Sequence, residues 1–249
     1  MSQIDLNCDL GEGGNNDAAM MPLITSANIA CGIHAGDVDT MRAAVNLAQH
    51  FGVAIGAHPS LNDRENFGRK EMKVTYREAH LYVVTQTKLL QIIARQCGAK
   101  VTHVKPHGAL YNMAAWDGEL ADAIAAAVKE VDPTLILYGL ASSCLLDAGR
   151  VHGLQVASEV FADRTYQPNR SLTPRTQPNA VIADEAVAVD QVVRMLRDGV
   201  VRTTDGTDAT IQADTVCLHG DGADPINFAL KLNVKLKSEG FWLKARTSS

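Results

Sequence analysis

The sequence predicts an α/β fold in which seven parallel strands and their crossover helices close into a (β/α) barrel. Three observations predict it. Short β-branched runs alternate with longer segments of helical periodicity, the pattern of strands joined by crossover helices. The chain has 249 residues, 46% of them hydrophobic, which suits one large domain with a sizeable core. No glycine-rich dinucleotide fingerprint is present, which favours a closed barrel over an open doubly wound sheet. No linker-like or low-complexity segment divides residues 1–249, so they read as a single domain.

Strands are predicted over 4–8, 27–31, 53–57, 101–105, 135–138, 155–158 and 215–218. Helices are predicted over 38–51, 76–97, 118–130, 142–151, 181–198 and 224–239. In the first strand Asp5, Asn7 and Asp9 alternate with Ile4, Leu6 and Cys8, so the two sets lie on opposite faces. Gly11, Gly13 and Gly14 follow as a tight turn, with no Gly-Lys-Ser/Thr phosphate loop behind them. The second strand leads through Asn28 to His34 and Asp37, and the third ends at His58. In the helix 76–97, Ala79, Tyr82, Val83, Leu89, Leu90, Ile93 and Ala94 follow the spacing of an amphipathic helix. The fourth strand lines up His103, Lys105 and His107, and Asp117 is placed to cap the helix that follows.

The sixth strand runs through Glu159 to Asp163 and Arg164. Residues 163–180 then form a long, proline-containing polar segment carrying Arg164, Arg170 and Arg175. A connection of that length suits a lid or binding loop, and its arginines suit a carboxylate or phosphate. The seventh strand finishes at His219 and Asp221. There HGDGADP (219–225) brings glycines to a helix N-terminus with Pro225 in its first turn. Such an end attracts anions, although an ordinary strand-to-helix turn explains the segment equally well.

A formal net charge of −5 and the lack of a basic run exclude an electrostatic footprint for nucleic acid. No apolar run approaches the roughly 20 residues needed to span a bilayer, so no membrane association is expected. The start, MSQIDLNCDLGE, carries carboxylates where a secretory signal needs an apolar stretch. Five scattered cysteines without a Cys-x-x-Cys pair indicate neither a disulfide framework nor a zinc knuckle. A reduced, cytoplasmic location is the expectation.

Polar residues at the ends of six of seven strands point to an enzyme. Alternation alone would describe a solvated face in an antiparallel sheet. Here helices cover one face and barrel closure buries the other, and burying ionisable groups costs several kcal/mol unless they are paired or working. Asp5 lies deep enough to be either a scaffold residue or part of the site. His50, His80 and His152 fall within or beside helical patterns and read as structural. The His and Asp content could also hold Zn²⁺ or Mn²⁺, which keeps a metal-dependent carbohydrate hydrolase or deacetylase as an alternative. No pair of histidines with a nearby carboxylate shows a recognised ligand spacing along the chain. A non-catalytic scaffold protein that only binds partner enzymes is a third reading.

The motifs DLNCDLGEG (5–13), SANIACGIHAGD (26–37), IGAHPS (55–60), HVKPHGALYN (103–112), EVFADRTY (159–166) and CLHGD (217–221) together resemble the LamB/YcsF family. They run in order from the first strand to the last. The resemblance implies a seven-stranded barrel of the glycoside hydrolase/deacetylase type. It also implies the A component of a bacterial 5-oxoprolinase, opening 5-oxoproline (pyroglutamate) to L-glutamate with ATP as co-substrate and with subunits B and C as partners. The segment GEGGNNDAAMMP is shorter than the corresponding loop of many members, and Asn169-Arg170 and Asn179 stand where glycine is common.

On this reading the catalytic candidates are Asp9, His34, His58, Lys105, His107 and His219. The general base is sought among Asp9, His34 and His58. Lys105, with His107 or His219, would stabilise oxyanion or phosphate charge. Arg164 would hold the substrate carboxylate, and Asn7 and Glu159 would orient their neighbours. Glu12, Asn28, Asp37, Asp163 and Asp221 complete the expected substrate-binding set. Whether a divalent metal takes part is open. With no phosphate loop, the isolated chain is expected to hydrolyse ATP poorly.

Overall fold

The structure, a computed structural model, describes residues 2–218 and 224–247. Its strands are β1 (Gln3–Leu10), β2 (Ser26–Ala30), β3 (Ala54–His58), β4 (Val101–Val104), β5 (Ile136–Leu140), β6 (Val156–Phe161), β7 (Val200–Arg202), β8 (Asp208–Thr210), β9 (Thr215–Leu218) and β10 (Trp242–Leu243). The helices are α1 (Asp17–Met20), α2 (Val38–Phe51), α3 (Tyr76–Gln96), α4 (Gly108–Ala114), α5 (Gly118–Val131), α6 (Cys144–Val151), α7 (Glu185–Asp198) and α8 (Pro225–Ser238).

Strands β1 to β6 and β9 pair side by side, all parallel. β9 then pairs with β1 in register Asp5 with Thr215 and Asn7 with Cys217, which closes a seven-stranded barrel. Strand ends differ from the sequence expectation by at most three residues, the largest difference being at the end of β6. Four elements were not anticipated: α1, α4, the antiparallel hairpin β7–β8, and β10, which adds two residues in parallel to the start of β1. α7 starts at Glu185 rather than 181, because Asp184 caps it by accepting from the amides of Ala186 and Val187. The same device starts α2 at Asp37, α5 at Asp117 and α8 at Asp224, while Thr75 and Glu78 form a reciprocal capping box on α3.

The barrel has two interiors of opposite character. Outward residues such as Ile4, Leu6, Ile29, Val104, Leu137, Val160 and Val216 join one apolar core with the helices. The inward faces are polar and rise in tiers, because residues two apart along a strand share a face and sit roughly 7 Å apart. In the lowest tier Asp5 is fully buried and accepts hydrogen bonds from Thr25, Ser26, Tyr138 and Thr215 at 2.5–3.0 Å. Burial raises its carboxyl above the usual carboxylate range, with the four hydroxyls opposing that shift. Asp5 is therefore a scaffold group at the closed end of the barrel.

The segment 163–180 is not structureless. The Thr165 amide donates to the Ala180 carbonyl and the Thr173 amide to the Thr165 carbonyl, folding the segment over the barrel mouth with Tyr166 buried beneath. Of Asn169, Arg170 and Asn179, which stand where glycine is common, Arg170 and Asn179 have φ of +71° and +61°. That left-handed backbone favours glycine, and asparagine tolerates it better than arginine. No helix among the described residues is long and apolar enough to cross a membrane.

Candidate functional site

The middle tier of the barrel is a directed chain of hydrogen bonds. Burial pushes the His103 imidazole down to about 3, so the ring is neutral. Its Nε2 lies 2.9 Å from Asn28 Oδ1, and Thr102 Oγ1 lies 3.1 Å from its Nδ1. Asn28 presents its carbonyl to His103 and its amide nitrogen to Asn7 Oδ1 and Asp9 Oδ1, at 2.7 and 2.8 Å. Asn7 in turn donates to Glu159 Oε1 and Thr215 Oγ1, and Thr215 donates to Asp5. Gly56 makes room for this tier: a Cβ there would lie 2.0 Å from His103 Nε2.

The upper tier is ionic. Lys105 Nζ sits 3.0 Å from Asp9 Oδ1, 2.9 Å from Glu159 Oε1, 3.2 Å from Asn7 Oδ1 and 3.1 Å from Cys217 Sγ. Burial alone would lower the ammonium's pKa, but Asp9, Cys217 and Glu159 outweigh it and hold the group well above its ordinary range. Tyr111, brought in by α4, donates to Glu159 Oε2 at 2.6 Å. Burial and the Glu159 charge raise the phenol well above its usual value, which keeps that proton in place.

Three imidazoles lie beside this ion cluster. His58 Nδ1 is 2.7 Å from the Lys105 carbonyl, and its Nε2 is 3.3 Å from Asp9 Oδ2 and 2.9 Å from His107 Nδ1. His107 Nε2 is 2.8 Å from the carbonyl of Phe67, a residue held at φ +57°. His34 stacks on His107 with centroids 3.8 Å apart, and its Nε2 is 3.2 Å from Glu12 Oε1. Burial and the neighbouring His58 lower both His34 and His107 to about 3. Glu12 shifts the other way: burial, then Asp9, raises it. Among the described residues, two groups could hold a metal ion: Asp9 with His58 and His107, and Glu12 with His34 and His107.

Above the cluster opens a cavity of about 930 Å³. Asp9, Glu12, His58, Lys105, His107 and two of the loop arginines, Arg164 and Arg175, line it, together with Arg69, Glu71 and Tyr111, to which the sequence assigned no place in the site. Asn7, Asn28 and Glu159 lie just beneath, in contact with those that line it. His34 sits behind His107. Asp37 is elsewhere, at the start of α2, where its carboxylate accepts from the Thr40 amide and hydroxyl at 2.8 Å. Asp163 is half-buried at the base of the folded-over segment, away from the cavity lining. Arg164 reaches the cavity, but its Nε and Nη2 donate to the carbonyls of Ala180 and Thr173, so it also ties the segment shut. His219, Asp221 and most of the suspected anion-binding turn lie outside the described residues.

Fold and site together define a closed (β/α) barrel carrying an ionic, histidine-rich cluster beneath a deep cavity at the C-terminal ends of its strands, the end where such barrels bind ligands. The chain belongs to the LamB/YcsF family, whose model matches residues 4–248. It is 54% identical over 249 residues to the A component of 5-oxoprolinase from Geobacillus thermodenitrificans, covering 98% of this chain and 97% of that one. The same component from Bacillus subtilis is 52% identical over 250 residues, covering 98% and 97%. A crystal structure of the lactam utilization protein from Thermus thermophilus superposes with a TM-score of 0.92 at 37% identity, covering 98% of this chain and all of the other. The T48 deacetylase, at a TM-score of 0.51 and 14% identity over 97% of this chain and 87% of its own, shares the fold alone.

Proposed function

We propose that this chain is the A component of an ATP-dependent 5-oxoprolinase and that the lactam of 5-oxoproline is opened in the cavity over Asp9, His58 and Lys105. What carries the reading is the match across nearly the whole chain to proteins named as that component of 5-oxoprolinase, combined with a buried ionic cluster at the cavity floor.

A lactam is an unreactive amide, and transfer of a phosphoryl group from ATP to its oxygen makes the ring carbon electrophilic. Water then adds to that carbon, the ring C–N bond breaks and the nitrogen takes up a proton. The resulting acyl phosphate is hydrolysed by a second water to L-glutamate and phosphate. Asp9 and His58 would accept protons from attacking water. Lys105 has all its donors directed at fixed partners, so it acts by holding the carboxylates of Asp9 and Glu159 in position. Arg164 and Arg175 line the upper cavity and suit the substrate carboxylate or a phosphoryl group. With no phosphate loop in this chain, ATP handling falls to subunits B and C.

The test is glutamate formation from 5-oxoproline and ATP by the three components together. Turnover should need this chain, fall at least about 100-fold in an Asp9→Asn complex that still assembles, and be accompanied by negligible ATP hydrolysis from the isolated chain. Product formation by B and C alone, or undiminished turnover with Asp9→Asn, would sink the proposal.

A further inference from the structure

We propose that Asp9, His58 and His107 form a binding site for one divalent transition-metal ion, Zn²⁺ above others, at the floor of the cavity. The reason is where protons can and cannot be. His58 Nδ1 faces the carbonyl of Lys105 and His107 Nε2 faces that of Phe67, at 2.7 and 2.8 Å. A carbonyl oxygen only accepts, so each of those nitrogens carries its ring's proton. A neutral imidazole has one N–H. The remaining nitrogens, His58 Nε2 and His107 Nδ1, are therefore lone pairs, and they face one another across 2.9 Å. Asp9 Oδ2, a third acceptor, lies 3.3 Å from His58 Nε2.

Two imidazole lone pairs facing each other across 2.9 Å, with carboxylate oxygens of Asp9 and Glu12 at 3.3 and 3.5 Å from them, repel one another unless a positive centre joins them. Metal–ligand distances of about 2.0–2.2 Å, with angles between octahedral and tetrahedral, put neighbouring ligand atoms about 2.9–3.5 Å apart. The two measured edges, 2.9 and 3.3 Å, fall in that range, and all three atoms lie within 4.8 Å of one another.

The surroundings agree. An outer imidazole N–H bonded to a backbone carbonyl is the usual support for a metal-bound histidine. The other oxygen of Asp9 is anchored by Lys105 and Asn28. Asp9 and Glu159 set two negative charges against the single charge of Lys105 between them. Two nitrogens and one carboxylate oxygen, with Asp9, His58 and His107 all lining the cavity, match the open kind of Zn²⁺ site that keeps a position for water or substrate. The other group, Glu12 with His34 and His107, lacks the outer support, because His34 Nδ1 is buried without a hydrogen-bond partner.

Metal binding here does not rest on the 5-oxoproline reading. A chain that binds metal without taking part in lactam opening keeps the one and removes the other. The full chain, stripped with a chelator and dialysed, is titrated with Zn²⁺ by calorimetry and checked by elemental analysis after desalting. One equivalent should bind. His58→Gln and Asp9→Ala should weaken binding by more than about 100-fold, beyond what loss of an outer-shell partner does, while His34→Gln should keep the stoichiometry. Because a variant can misfold, Co²⁺ is also added to the stripped wild-type chain, where visible absorption bands should appear in one-to-one proportion. Absence of both Zn²⁺ uptake and Co²⁺ bands would mean that a proton bridges the two imidazoles, and it overturns the proposal. So does binding that is lost in His34→Gln and kept in His58→Gln.

Discussion

Replacing Gly56 by alanine should strike the site without touching any group that does chemistry. The added Cβ would stand 2.0, 2.2 and 2.5 Å from three atoms of the His103 ring, which must retreat by about 1.4 Å to reach ordinary contact at 3.4 Å. The ring has little freedom to do so, since it stacks on Tyr138 at 4.3 Å and holds Asn28 Oδ1 at 2.9 Å. Overpacking of this kind costs about 1–3 kcal/mol, and breaking the buried His103–Asn28 bond adds about 1–3 kcal/mol. The loss should therefore be about 2–6 kcal/mol, which for a chain of this size lowers Tm by roughly 4–24 °C. Thermal unfolding by circular dichroism reads the stability, and glutamate formation by the assembled complex reads the consequence for Asp9. The decisive measurement is a cycle with His103→Ala. With the ring gone, Gly56→Ala should cost almost nothing further. If Gly56→Ala leaves Tm within about 2 °C of wild type, or costs as much with His103 absent as present, the steric account of this tier is wrong.

Lys105→Met should abolish turnover and destabilise the fold by about 3–5 kcal/mol, because the buried carboxylate of Glu159 and the half-buried one of Asp9 lose their counter-charge; adding Glu159→Gln should recover part of the stability, as read by denaturant unfolding, and none of the activity. The His103 imidazole is neutral in the folded chain down to about pH 3, while in the unfolded chain it takes a proton near its ordinary 6.5. The unfolded state thus binds more protons across that window, so the contribution is full above about pH 6.5 and lost as pH falls toward 3. The expected slope from this residue alone is about 1.4 kcal/mol per pH unit, and His103→Gln should flatten the stability–pH curve in that range by the same amount. Arg164→Ala removes two bonds that close the segment over the mouth. Limited proteolysis within 165–183 should quicken together with a rise in KM for 5-oxoproline, and a change in either one without the other would separate the two roles.

Much of the barrel and its mouth was legible because a strand repeats every two residues, and the polar residues at its end stand out against an apolar partner face. Asp9, His58, Lys105 and Glu159 were visible for that reason. Other parts carry no such signal. The seven residues of α4 are too short for a helical period to show, so Tyr111 went unnoticed although its hydroxyl holds Glu159. Phe67 acts through its main-chain oxygen, which a side-chain inventory cannot register. Asp37 was attributed to substrate binding because it followed His34, yet an aspartate just before a helical pattern is also a start signal, and that local chemistry is what its carboxylate performs. The tautomers of His58 and His107 belong to the same class of hidden information. They are set by two backbone carbonyls brought near by the end of β4 and by the loop after β3, and become readable only once those oxygens have positions.

The directed chain running from His103 through Asn28 and Asn7 to Thr215 and Asp5 also constrains how this barrel can change over time. An oily interior accepts gradual drift, since one methyl more or less shifts an energy smoothly. Here every link has a polarity, and reversing one amide sets donor against donor at the next. A tolerated change must come as a matched set or leave the pattern whole. Among divergent relatives, residues equivalent to positions 7, 28, 103 and 215 should accordingly be inherited as a block, exchanged together or not at all, while the apolar positions on the outer face of the same strands vary one at a time.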